Sequence, residues 1–137
     1  MPRFPAHLPP LFFLLALWAC NDSNNTTPTT PTTPATFTDT FSGSINPNGA
    51  ATHTFTTQAT GNVTATLTSV GPDSSVAIGF SMGTWNGTTC QIVLARDSVT
   101  QGAVIVGNTT AGTLCVRLYD VGNLQASVTY EAQVVHP

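Results

Sequence analysis

The sequence predicts an all-β fold, a single jelly-roll-like β-sandwich of about eight antiparallel strands, and three observations carry that expectation. From Phe37 onward, apolar residues recur at every second position, the period of a strand with one face against a core. The alternating runs are short and separated at regular intervals by Asn, Gly, Pro and Asp clusters, which form turns. No stretch keeps the periodicity of an amphipathic helix over a helical length, whereas β-branched Val, Ile and Thr are abundant. A chain of 137 residues has material for one such domain.

In chain order, the first segment reads as an address and not as structure. Arg3 supplies a thin positive start, residues 11–18 are an unbroken apolar run, and the small Ala19 precedes Cys20. That run is too short to span a bilayer. The segment Leu17, Trp18, Ala19, Cys20 resembles the bacterial lipobox. The resemblance implies that residues 1–19 are a lipoprotein signal peptide, cut away before a Cys20 that carries lipid on its sulfur. An ordinary secretory signal that leaves Cys20 as a free thiol is the alternative. Residues 20–36 then form the lipidated cysteine and a Thr/Pro-rich tether, in which Pro28, Pro31 and Pro34 favour an extended path. At about 3.1 Å per residue the tether reaches roughly 50 Å, enough to hold a domain clear of a membrane surface.

Residues 37–137 are the expected sandwich domain. Val63, Ala65 and Leu67 alternate with Thr64, Thr66 and Thr68, so the apolar set faces inward and the threonines face water. The pattern recurs at Val76, Ile78, Phe80 and Met82, at Ile92 and Leu94, at Leu114, Val116 and Leu118, and at Val128, Tyr130, Ala132 and Val134. Each of these runs is expected to be a strand with one buried face. Turns are expected at residues 46–49, 61–62, 71–73, 86–87, 107–108 and 122–123. Asn86-Gly87 is the strongest hairpin signal, because both central residues of a type I′ turn take positive φ.

Charge excludes some partners. Without the leader and its Arg3, two arginines face six carboxylates, a net charge of −4. Nucleic acid binding relies on clustered Lys and Arg, so no nucleic acid partner is expected, nor peripheral binding to anionic lipid. Cysteine usage fits export. Three cysteines leave one unpaired, and lipidation of Cys20 accounts for it, leaving Cys90 to pair with Cys115. Such a bridge closes a loop of about 25 residues and contributes about 3 kcal/mol in the chain-entropy account. One geometric tension stands: simple alternation puts Cys90 on the core face with Ile92, but Cys115 on the opposite face with Arg117. The bridge therefore requires a strand end or a bulge. No CxxC or HxxxH spacing supports zinc.

Phe41 to Ser44, Thr52 to Phe55, residues 62–68 and residues 112–120 together resemble the bacterial pre-peptidase C-terminal domain family, over about 36–137. The resemblance implies a jelly-roll-like sandwich with an accessory or binding role beside exported enzymes. Protease association does not follow from the domain pattern alone, since fold does not fix function.

Candidate chemistry is sparse. Gly79, Ser81 and Gly83 match the G-x-S-x-G pattern of serine hydrolases, and Asp97 or Asp120 followed by His136 has the right chain order. A nucleophile elbow, however, needs a strand-to-helix turn, whereas Ser81 falls inside an alternating strand and is expected to face solvent. A small esterase using Ser81 is thus the unfavoured alternative. His53 reads as a half-buried strand residue, and Asp73 and Asp120 as turn caps, with loop calcium the alternative use of such carboxylates. Trp85 and Asn86, at the end of the strongest hairpin, are the candidate ligand contacts, because aromatic rings at loop ends can stack on sugars. The more ordinary use of such a ring is packing over the bridge or the core edge. The expectation is a non-catalytic lipoprotein of the cell envelope, facing periplasm or cell surface, with no cofactor. It would be membrane-bound through Cys20 and act as a binding or structural module for polysaccharide or an envelope protein. The alternative is an accessory partner of a separate secreted protease or transporter.

Overall fold

The computed structural model describes residues 32–137, so the expected signal peptide, Cys20 and the tether as far as residue 31 lie outside the described residues. Eight strands follow in order: β1 (Phe37–Ile45), β2 (Ala50–Thr57), β3 (Gly61–Gly71), β4 (Ile78–Trp85), β5 (Cys90–Val99), β6 (Val104–Thr109), β7 (Gly112–Tyr119) and β8 (Val128–His136). They form two four-stranded antiparallel sheets of order β1-β8-β3-β6 and β2-β7-β4-β5. Every connection except β4 to β5 crosses from one sheet to the other. This is the strand order of a jelly roll, as the alternation and turn spacing predict.

The inward faces are those read from the alternation. Val63, Ala65 and Leu67 of β3, Ile78, Phe80 and Met82 of β4, Leu114, Val116 and Leu118 of β7, and Val128, Tyr130, Ala132 and Val134 of β8 form one core. Each large aliphatic side chain buried here contributes roughly 1.5–3 kcal/mol, so the facing sheets are held mainly by area removed from water. At the β1/β2 side, His53 closes the gap between sheets: it stacks on Phe41 at 4.8 Å between ring centroids and shares a 2.7 Å hydrogen bond with the Tyr130 hydroxyl. Its burial holds the imidazole below the usual histidine range.

Three local expectations are corrected. The β3 threonines are half-buried and not fully in water, because β3 lies between β8 and β6; Thr68 donates to both the carbonyl and the carboxylate of Glu131. Neither Gly61-Asn62 nor Gly107-Asn108 is a turn: the first opens β3 and the second belongs to β6, so the chain reverses at residues 58–60 and after Thr109. Strand β5 has no buried face: residues 91–98 are all exposed, including Ile92 and Leu94. It is an edge strand of ten residues, against six in β6, the edge strand of the other sheet, so little of that sheet lies over it.

Two bulges in β5 also resolve the tension over the cysteines. Against β4, Met82 pairs with Leu94 but Gly83 pairs with Ile92, which leaves Val93 as an extra residue. An inserted residue reverses the facing of everything beyond it, so Ile92 and Cys90 turn to the outer side of the sheet. The expectation that Cys90 faces the core with Ile92 is therefore overturned, while Cys115 lies on the Arg117 face as alternation requires. Cys90 and Cys115 are disulfide-bonded with their Cα atoms 5.8 Å apart, within bridging range. Since β4 lies between β5 and β7, the bridge has to pass across β4, and it does so beside Gly83, the register partner of Cys115. A Cβ on Gly83 would come within 1.9 Å of the Gln91 carbonyl oxygen, so only glycine lets the start of β5 fold this closely onto β4. Gly83→Ala should accordingly cost about 3 kcal/mol in chemical denaturation, the upper range for overpacking, since backbone and not a flexible side chain must move. An unchanged unfolding midpoint would contradict this packing.

Candidate functional site

The outer face of the β2-β7-β4-β5 sheet gathers most of the chemically distinctive side chains. Leu114, Val116 and Leu118 of β7 point inward, so Cys115, Arg117 and Tyr119 point outward. On β4 the outward positions are Gly79, Ser81, Gly83 and Trp85, three of them small. That small-residue track lets the long β7 side chains lie flat. The Tyr119 ring covers Gly79, where a Cβ would fall 2.2 Å from a ring carbon. The Arg117 guanidinium stacks over the Tyr119 ring at 5.1 Å from its centroid. The Tyr119 hydroxyl donates to Asp97 of β5, reaching across β4. Desolvation, then the Asp97 hydrogen bond and charge, push the Tyr119 hydroxyl up to about 12, with Arg117 opposing.

Further along the same face, beyond the Cys90–Cys115 bridge, stands Trp85. Trp85, Thr52, Thr88, Thr89, Cys90 and Arg117 line a shallow open depression. The ring is half-buried, so it is neither sunk in the core nor fully free. Trp85 pairs with Cys90 across the hairpin, and the connecting loop is residues 86–89. This corrects the two-residue turn: of the loop residues only Gly87 takes positive φ, at 96°. Asn86 shapes the loop instead, its Oδ1 accepting from the backbone N–H of Thr88 and Thr89 at 2.9 and 2.8 Å and its Nδ2 donating to Thr89 Oγ1. Its amide is thus spent within the loop, while the Trp85 ring and the Thr52, Thr88 and Thr89 side chains border the depression.

The hydrolase constellation is not brought together. Ser81 is 1% exposed, contrary to the solvent-facing expectation, and its hydroxyl donates to the Arg117 carbonyl at 3.2 Å. Its register partners, Arg117 and Ala95, flank it on either side. His136 belongs to the other sheet, where it sits against Phe55 and pairs with Asp39 at 3.1 Å. Asp97 holds Tyr119. Asp120 accepts from the N–H groups of Asn48, Gly122, Asn123 and Leu124, and these bonds, led by Asn48, hold its carboxyl below the usual range. Asp73 caps Ser75 in the same manner. Among the described residues no group of three or more His, Cys, Asp or Glu side chains converges.

A second concavity opens between the edge strands β5 and β6, lined mainly by Val63, Met82, Val93, Leu94 and Leu114, with Thr84, Asn108 and Thr109 as its polar residues. It is mostly apolar and holds no charged or aromatic side chain, whereas the Trp85 depression combines an aromatic ring, a cation and hydroxyls. No protein-family model matches the chain, and no curated protein matches it.

Trp85 was accessible to sequence reasoning through the Asn-Gly signal, and Arg117 with Tyr119 through alternation. The participation of Asp97 and Thr52 was not, because it depends on cross-strand register: Thr52 faces Arg117, and two β5 residues oppose Gly79. The Tyr119 arrangement is open to test. A tyrosine with a raised folded pKa adds stability in full below its unfolded value near 10, and that stability is lost as pH rises through about 12. Ultraviolet titration should find the Tyr119 phenolate forming near 12, and Asp97→Asn should lower that midpoint. Titration near 10 in the folded wild type would contradict the contact.

Proposed function

We propose that this protein is a non-catalytic lipoprotein of the bacterial cell envelope whose sandwich domain binds polysaccharide on the outer face of the β2-β7-β4-β5 sheet. The single observation that carries the reading is the half-exposed Trp85 ring bordering an open depression with Thr52, Thr88, Thr89 and Arg117. A flat aromatic surface with hydroxyl and guanidinium groups around it suits a sugar, which has apolar C–H faces and an equatorial rim of hydroxyls. The openness suits a long chain that enters and leaves on either side.

Anchoring rests on the sequence. With Cys90 and Cys115 bonded to each other, Cys20 is the one cysteine of three left for lipid, and its lipobox-like surroundings give it that role. The likeness to the pre-peptidase C-terminal family fits an accessory binding domain and rests on the strand motifs alone. The buried, backbone-bonded Ser81 favours the binding reading over an esterase.

The test is retention on envelope polysaccharide immobilised as an affinity matrix. Wild type should be retarded. Trp85→Ala should lose retention while its thermal midpoint shifts little, and Cys20→Ser should keep retention but lose palmitate labelling and membrane partitioning. Loss of stability in Trp85→Ala without loss of retention would make the ring a packing element and refute the reading.

A further inference from the structure

We infer that the sugar taken by this face is an acidic one, a uronic acid residue whose carboxylate is received by Arg117 while its ring lies on Trp85. The inference rests on the binding reading above and adds the ligand's charge. Among the described residues Arg96 and Arg117 are the cations, and only Arg117 borders the depression. Its guanidinium makes no salt bridge there, since the one ion pair among the described residues joins His136 to Asp39. Asp97, on the same face, accepts from the Tyr119 hydroxyl and forms no ion pair with Arg117. The Tyr119 ring, 5.1 Å below the guanidinium carbon, meanwhile limits where the fork of donors can move before a ligand arrives. An oriented and unpaired guanidinium beside an aromatic ring is matched by a planar carboxylate, which can accept two parallel hydrogen bonds from it.

The net negative charge of the protein does not oppose this. No carboxylate lines the depression. Asp97 is on the same face but outside the depression, held at the Tyr119 hydroxyl. Asp39 and Glu131 lie on strands of the other sheet, and Asp73 and Asp120 lie in or beside the loops that follow β3 and β7. Those loops are at the opposite end of the sandwich from the 86–89 hairpin, because β4 runs from one end to the other. Charges separated by more than a Debye length, about 8 Å at physiological salt, are largely screened. Thr52, Thr88 and Thr89 supply neutral hydroxyls for the sugar's own hydroxyl groups and add no repulsion.

The decisive probe pair is oligogalacturonate and the same oligosaccharide methyl-esterified at every carboxyl, which differ in charge and little else. With the full-length lipoprotein in detergent, the acidic form should bind at least about tenfold more tightly, the scale of a charge-assisted pair of hydrogen bonds, and the preference should shrink as salt is raised. Arg117→Gln should bind both forms alike, at the affinity of wild type for the ester, while Arg117→Lys restores part of the preference. Trp85→Ala should weaken both forms together. Equal wild-type affinity for the two probes overturns the acidic ligand and leaves the polysaccharide reading intact. A preference that survives in Arg117→Gln overturns the role of Arg117. Failure of wild type to bind either probe, with retention on envelope polysaccharide preserved, overturns the uronic acid alone, and loss of both removes the reading beneath it. Should Arg117→Gln not fold, the probe pair on wild type still decides.

Discussion

The bridge between Cys90 and Cys115 is the constraint on which the rest of the outer face depends. It joins β5 to β7 across the intervening β4, and it does so only because Gly83 has no side chain where the β5 backbone crosses. Edge strand β5 has no buried face of its own, so burial contributes little to holding it. The covalent link and the ladder to β4 take over that role. Trp85 faces Cys90 across the hairpin, so whatever fixes Cys90 also fixes the position of the ring.

A division of labour follows between the two sides of the β2-β7-β4-β5 sheet. The inner side is a conventional core of Phe80, Leu118, Ile78 and their neighbours, and any set of similar volume and patterning would serve it. The outer side is specific. Glycine at 79 admits the Tyr119 ring, glycine at 83 admits β5, and serine at 81 fills the space between with its hydroxyl satisfied by a backbone carbonyl. Replacing any of these small residues by a typical outward strand residue such as Thr or Lys would lift the aromatic and guanidinium groups off the sheet. The jelly roll thus provides a rigid platform, and the small-residue track of β4 decides what lies on it.

Most of the architecture was legible in the sequence because it follows from period-two alternation, which local residues encode completely. The inward sets of β3, β4, β7 and β8 are the ones read from that pattern. What escaped has one physical origin: strand neighbours in a jelly roll are distant in sequence, and nothing in a single strand tells whether it is central or at an edge. Hence β5, with its Ile92 and Leu94, looked like a core strand, and the bulge at Val93 that turns Cys90 outward could be required by the disulfide but not located. The same lack of register hid the contact of Asp97 with Tyr119 and the placement of Thr52 beside Arg117. The Asn86-Gly87 turn was placed correctly and typed wrongly, because the Asn86 side chain bonds within the loop and so stabilises a longer turn.

Whether the bridge positions the proposed ligand face is tested most directly by the fluorescence of Trp85, the one tryptophan among the described residues. Emission should be recorded during titration with oligogalacturonate, in the intact protein and in the Cys90→Ser, Cys115→Ser double variant, with far-ultraviolet circular dichroism confirming that the sandwich persists. Emission should change saturably with the bridge present and not at all without it. A bridge-free protein that stays folded and responds at the same oligosaccharide concentration would contradict that positioning role.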